Sequence, residues 1–143
     1  MTGALLIVGA LAVVAAASVV VVVVVWFRRT YVLVTVAGRS MEPTLRHGER
    51  VLARRAGVDR VQRGSVVVLA PPTGDDLMIK RVVAVPGDPL PRVRVPVLRE
   101  VSGERVPAAH LVVLGDNPSW SLDSRQLGLF PADRLLGVLV RSR

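Results

Sequence analysis

Of the 19 basic residues in this 143-residue chain only one, Lys80, is a lysine. Arg is always protonated, so Lys80 is the basic side chain that can give up its proton when it loses water. Alternation along the run 77–85 puts Met78, Lys80, Val82 and Ala84 on one face of a strand, with Ile79, Arg81, Val83 and Val85 on the other. Lys80 therefore shares its face with apolar side chains. Burial there would lower an ammonium pKa from ~10.4 toward neutrality, where the amine can act as a general base. The same pattern also fits an ammonium that reaches water from a strand edge, with its apolar neighbours as ordinary core.

A lysine base needs a nucleophile. The run Gly38-Arg39-Ser40-Met41-Glu42-Pro43-Thr44-Leu45 places Ser40 where a Val-rich strand ends and Pro43 forces a turn. Its hydroxyl can project into a cleft, and Gly38 lets a substrate backbone come close. A third cluster, Gly115-Asp116-Asn117-Pro118-Ser119-Trp120-Ser121-Leu122-Asp123-Ser124-Arg125, has the small polar side chains of a tight, hydrogen-bonded loop. Taken singly, the second run is a turn and the third a surface loop.

The elements that must position these residues fall into two parts. Residues 4–27 carry no charge and are almost wholly Val, Ala, Leu and Ile. About 20 apolar residues cross a bilayer, so 1–27 is expected to be a transmembrane anchor. A cleavable signal peptide is the rival reading, given Ala15-Ala16-Ala17. The n-region Met1-Thr2-Gly3 lacks a basic side chain, and the apolar run exceeds the usual ~7–15 residues of an h-region. Residues 28–143 then form one domain of ordinary small size. Short Val/Leu-rich runs at 31–37, 50–54, 65–69, 77–85, 111–114 and 136–140, punctuated by Gly and Pro, predict a mostly β domain, small and folded-over or closed. Helical pieces are expected near Pro43–Leu45 and Pro131–Leu135.

Composition narrows the chemistry. There is no cysteine, and the two histidines, His47 and His110, lack zinc-ligand spacing, so no metal site is expected. A net charge of +8 with few aromatic residues suits an anionic lipid surface better than nucleic acid. Arg28 and Arg29 directly follow the apolar span, and the positive-inside rule would place the domain in the cytoplasm.

Together, and in this order, the three runs resemble the boxes of the type I signal peptidases, membrane-anchored serine proteases of the Ser/Lys class. Ser40–Leu45 is similar to the nucleophile box, Lys80–Asp88 to the lysine box, and Gly115–Asn117 with Ser121–Arg125 to the C-terminal box. Arg63-Gly64-Ser65-Val66-Val67-Val68-Leu69 is a weaker match to a further strand of that family. The resemblance implies a membrane-bound endopeptidase that cleaves signal or leader peptides from exported pre-proteins. Ser40 would be its nucleophile, Lys80 its general base, and an acyl-enzyme its intermediate. Ser121 would orient Lys80, while Asp123 and Arg125 would form a supporting ion pair. Substrate would add as an extended peptide beside Val36, Ala37, Met78 and Ile79. No cofactor is implied, and the partners are pre-proteins and the bilayer, without nucleic acid. The resemblance also places the domain on the extracytoplasmic face, against the two arginines. Oligomeric state is left open.

The chain departs from the family pattern at several points. Gly38 stands where some members carry a serine that assists the oxyanion hole, Pro118 where a basic residue is usual, and Ser65 where an acid is usual. The interval Pro89–Leu114 is too short for the extra β domain of many bacterial members, which suggests a minimal version. The non-enzymatic alternative is a membrane-anchored β module that binds exported peptides without cutting them. A repressor-type autoprotease would need a DNA-binding N-terminus, and a Ser-His-Asp hydrolase would need His47 or His110 beside a serine.

Overall fold

The computed structural model describes residues 2–140. It contains two compact units, one ending at Tyr31 and one beginning at Val32.

The first unit is a single helix, α1, Thr2–Thr30. Over Gly3–Thr30 it is long and apolar enough to cross a membrane, with none of its most apolar window buried against protein. Apolar side chains cover it all round, as lipid contact requires. Two of its hydroxyls bond to the helix backbone: Ser18 Oγ donates to Val14 O and Thr30 Oγ1 to Trp26 O, each at 2.8 Å.

The second unit is built on a seven-stranded sheet. Its strands are β1 (Tyr31–Thr35), β2 (Arg50–Arg54), β3 (Val66–Leu69), β4 (Met78–Ala84), β5 (His110–Leu114), β6 (Phe130–Pro131) and β7 (Leu135–Leu139). They lie in the order β1-β2-β7-β3-β4-β5-β6. The registered pairs β2/β7, β3/β7, β3/β4, β4/β5 and β5/β6 are all antiparallel. The mostly β architecture expected from the punctuated Val/Leu runs is therefore found.

The Val run of β3 reads as continuous because both faces of the strand are covered. Val68 packs with Val34, Val36, Met41 and Ile79. Val67 and Leu69 join Val82, Leu111, Val113 and Phe130 on the other side. A third cluster gathers Ala84, Val112 and Leu114 with Leu90, Val95, Leu98 and Val106 of the 85–109 connection. That connection has one short 3₁₀ helix, Pro96–Glu100, and an isolated bridge between Pro89 and Arg105. It is a small cap rather than a further β domain.

Two local expectations differ from the structure. Residues 40–44 form a hydrogen-bonded turn, not a helix. Leu45 N–H reaches Met41 O at 2.9 Å, but the next donor, Arg46 N–H, turns to Glu49 Oε2 at 3.0 Å and does not continue the helical ladder. Near Pro131–Leu135 the helical piece is a single 3₁₀ turn, Ala132–Arg134, preceded by the two-residue strand β6. A short helix, α2 (Ser124–Leu127), was not anticipated. Asp123 caps it by accepting from Arg125 N–H, and the Gln126 side chain accepts from Asp123 N–H in return.

Candidate active site

Lys80 lies on β4, an interior strand, opposite Val67 of β3. Only 4% of its surface is exposed, so the alternative of an ammonium reaching water from a strand edge does not hold. Burial pulls its pKa below the ordinary 10.5; the negative charge of Asp123 opposes the shift and the positive charge of Arg125 adds to it. The apolar neighbours read from the alternation are present, with Val82 and Ala84 buried on the same strand.

Ser40 sits in the turn that follows β1. Lys80 Nζ donates to Ser40 Oγ at 3.0 Å. With the amine neutral, the same separation lets the hydroxyl donate to the nitrogen lone pair, which is the contact a serine nucleophile and its base need. The Ser40 carbonyl accepts from Asn117 N–H at 2.9 Å, and the next side chain, Met41, is buried in the core. The loop after β5 thus holds Ser40 from its C-terminal side.

Asp123 organises that loop. Burial alone would raise its carboxyl, but Arg125, the Gly115 N–H and the Ser121 hydroxyl, with the Arg125 N–H, hold it below the usual carboxylate range. The bonds are 2.6 Å from Arg125 Nη2, 3.0 Å from Arg125 Nε, 2.8 Å from Gly115 N and 2.6 Å from Ser121 Oγ. The Asp123–Arg125 ion pair is formed as the motif suggested. Ser121 is placed differently: its hydroxyl donates to Asp123, and among the described residues no hydrogen bond joins it to Lys80.

A second network was not read from the sequence. Arg81 grips Asp116 through Nε at 2.8 Å and Nη2 at 2.6 Å, and its Nη1 donates to Gly64 O. Thr44 Oγ1 donates to the same carboxylate at 2.6 Å. Desolvation raises the Asp116 carboxyl, while Arg81 and Thr44 together bring it below its ordinary value. One carboxylate therefore ties the turn that carries Ser40, β4 and the loop after β5. The signal was the adjacency of Arg81 to Lys80 and of Asp116 to Gly115, but the pairing is set by the fold.

Gly115 is the point of closest approach. A Cβ there would lie 2.7 Å from the Ser40 carbonyl oxygen and 2.5 Å from Ser121 Cβ, besides meeting Ser121 Oγ. Gly115→Ala must push Ser40 or Ser121 aside. The variant is expected to lose about 1–3 kcal/mol of stability and ~10²-fold in kcat. Denaturation midpoints and turnover, measured side by side, check both.

The four substrate-side residues divide. Val36 and Ile79 are buried in the cluster that holds Met41, whereas Ala37 is exposed and Met78 half-buried. A groove of about 1030 Å³ lined by Thr44, Leu45, Arg50, Val66, Arg81 and Val138 is separate, and neither Ser40 nor Lys80 lines it. Among the described residues neither histidine hydrogen-bonds to a serine: His47 Nδ1 accepts from Gly38 N–H, and His110 Nδ1 lies 2.9 Å from Ala108 O. No group of three His, Asp or Glu side chains among the described residues is arranged to hold a metal ion.

The chain thus joins an antiparallel β domain that sets a serine hydroxyl against a buried lysine amine with an apolar helix of membrane-spanning length. The family model described as signal peptidase, peptidase S26, matches residues 6–95 and 90–142. Signal peptidase IB of Staphylococcus aureus (strain COL) is 30% identical over 139 residues, covering 72% of each chain. The probable signal peptidase I-2 of Synechocystis sp. is 30% identical over 138 residues, covering 76% of this chain and 62% of the relative. The chain belongs to the signal peptidase family, peptidase S26, and is a signal peptidase hydrolase. Its substrates are pre-proteins that carry signal peptides, and its location is the membrane.

Proposed function

We propose that the chain is a single-span, membrane-anchored serine endopeptidase in which Ser40 and neutral Lys80 cleave signal peptides through an acyl-enzyme. The 3.0 Å contact between Ser40 Oγ and the buried Lys80 Nζ carries this reading. Lys80 Nζ takes the Ser40 hydroxyl proton as Oγ attacks the scissile carbonyl. The Ser40 N–H donates to the oxyanion that forms. The ammonium then gives its proton to the departing amine, which becomes the N-terminus of the mature protein. Water, deprotonated by Lys80, attacks the ester; the acyl–Oγ bond breaks, the Lys80 ammonium returns its proton to Ser40 Oγ, and the signal peptide leaves with a free carboxylate.

Asp123 and Arg125 support the site by holding the loop whose Asn117 N–H positions Ser40. Ser121 orients Lys80 indirectly, through the Asp123 carboxylate whose charge favours the ammonium. An extended substrate beside β1 and β4 would meet Ala37 and Met78 at the surface, with Val36 and Ile79 behind them as the apolar floor. Residues 1–27 serve as the anchor and 28–143 as the peptidase domain. The domain belongs on the extracytoplasmic face, because cleavage sites emerge there after translocation. Arg28 and Arg29 are only two charges against that requirement.

The pH dependence tests the base. Only the neutral amine accepts a proton, so kcat/KM should rise with pH along one ionisation whose midpoint lies below the ordinary lysine value of 10.5. Steady-state cleavage of a pre-protein across that range measures it. A flat profile between pH ~6 and ~10 would rule out a titrating lysine.

A further inference from the structure

The nucleophile turn is held unevenly. On its C-terminal side Ser40 is fixed by Asn117 N–H on its carbonyl, by the buried Met41 and by the Thr44–Asp116 bond. On its N-terminal side Arg39 is tied through its carbonyl and its Nε to Glu42, at 3.2 and 3.0 Å, and lies over the Trp120 ring, but the chain enters through Gly38, whose φ of +80° is a conformation glycine adopts freely and leaves freely.

What fixes Gly38 is a side chain. The end of β1 pairs with the stretch before β2: Val36 N–H donates to Glu49 O at 2.8 Å, and Gly48 N–H to Val36 O at 2.9 Å. The next donor on that side, Gly38 N–H, finds no backbone carbonyl and donates instead to His47 Nδ1 at 3.0 Å. An acceptor Nδ1 puts the ring hydrogen of the neutral imidazole on Nε2. His47 thereby adds one rung to the pairing, two residues before the nucleophile.

We propose that His47 is a positioning residue for Ser40, acting through Gly38. Without it, Gly38 N–H loses its acceptor, and the 38–39 peptide that leads into the Ser40 N–H is held from the Arg39 side alone. That N–H is the oxyanion donor, and Gly38 offers no hydroxyl to share its work. The loss should therefore fall on the transition state rather than on peptide binding. This inference rests on Ser40 being the nucleophile.

The test uses the full chain in detergent, cleaving a pre-protein, with His47→Ala, His47→Asn, His47→Gln and Ser40→Ala assayed together. Asn Oδ1 stands the same number of bonds from Cα as His Nδ1, whereas Gln Oε1 stands one bond farther. His47→Ala and His47→Gln are expected to lose ~10-fold in kcat with KM little changed, and His47→Asn to recover most of that loss. Wild-type kcat in His47→Ala, a change confined to KM, or equal defects in the Asn and Gln variants would overturn the inference while leaving the nucleophile reading intact. Wild-type cleavage by Ser40→Ala would overturn both.

Discussion

Ser40→Ala and Lys80→Arg are each expected to lower kcat by ~10⁴-fold or more, and the double variant by no more than either alone. The two side chains act on one proton, so removing either leaves the other without a reaction to serve. Arg is basic and slightly longer than Lys but cannot deprotonate, and its guanidinium presents no lone pair to the Ser40 hydroxyl. Residual activity would come from substrate alignment and the Ser40 N–H. Near-wild-type cleavage by Lys80→Arg would leave the chain's family membership untouched and would end the lysine-base account. The double-mutant cycle separates a coupled pair from two independent contributors.

Asp123→Ala is expected to destabilise the domain by about 3–5 kcal/mol, a large share of the ~5–15 kcal/mol that holds a domain together. Asp123 has no exposed surface and accepts from Arg125, Ser121 and the Gly115 N–H. Truncation leaves an Arg125 guanidinium only 23% exposed without its carboxylate. It also leaves the buried Gly115 N–H without an acceptor. The carboxyl titrates lower in the folded chain than its ordinary 3.8. Its stabilisation is therefore complete above that value and fades as pH falls through the lower folded value. Denaturation followed by the fluorescence of Trp120, which lies beside Ser121, should show a lower midpoint for the variant near pH 7. It should also show a smaller loss of stability on acidification. An unchanged midpoint would mean that the loop is held without Asp123.

Much of the site was legible because its parts are local in sequence. Lys80 is the one lysine among 19 basic residues, and the alternation around it correctly placed Val82 and Ala84 beside it in the interior. Asp123 and Arg125 stand two residues apart, close enough to pair across the start of α2. The Pro43 turn was misread as helical because Leu45 completes one helical bond, and only its failure to continue marks a turn. The two-residue strand β6 and the cap at 85–109 carry too little periodicity to be read. Ser121 donates its one hydrogen to the Asp123 carboxylate, so its link to Lys80 runs through that loop, which only the fold shows.

The sequence by itself determined the apolar helix, the β character of the rest, and the residue types that make a nucleophile and a base. Those properties follow from composition and short-range period, which need no knowledge of distant contacts. The tertiary structure alone decided which groups meet. It buried Lys80 by placing β4 inside the sheet, brought Ser40 Oγ to 3.0 Å from its amine across forty positions of chain, and closed Thr44 and Arg81 around the Asp116 carboxylate. It also turned His47 onto Gly38. These contacts depend on strand order and on where each turn ends, and both are set by the packing of the whole sheet rather than by any one segment.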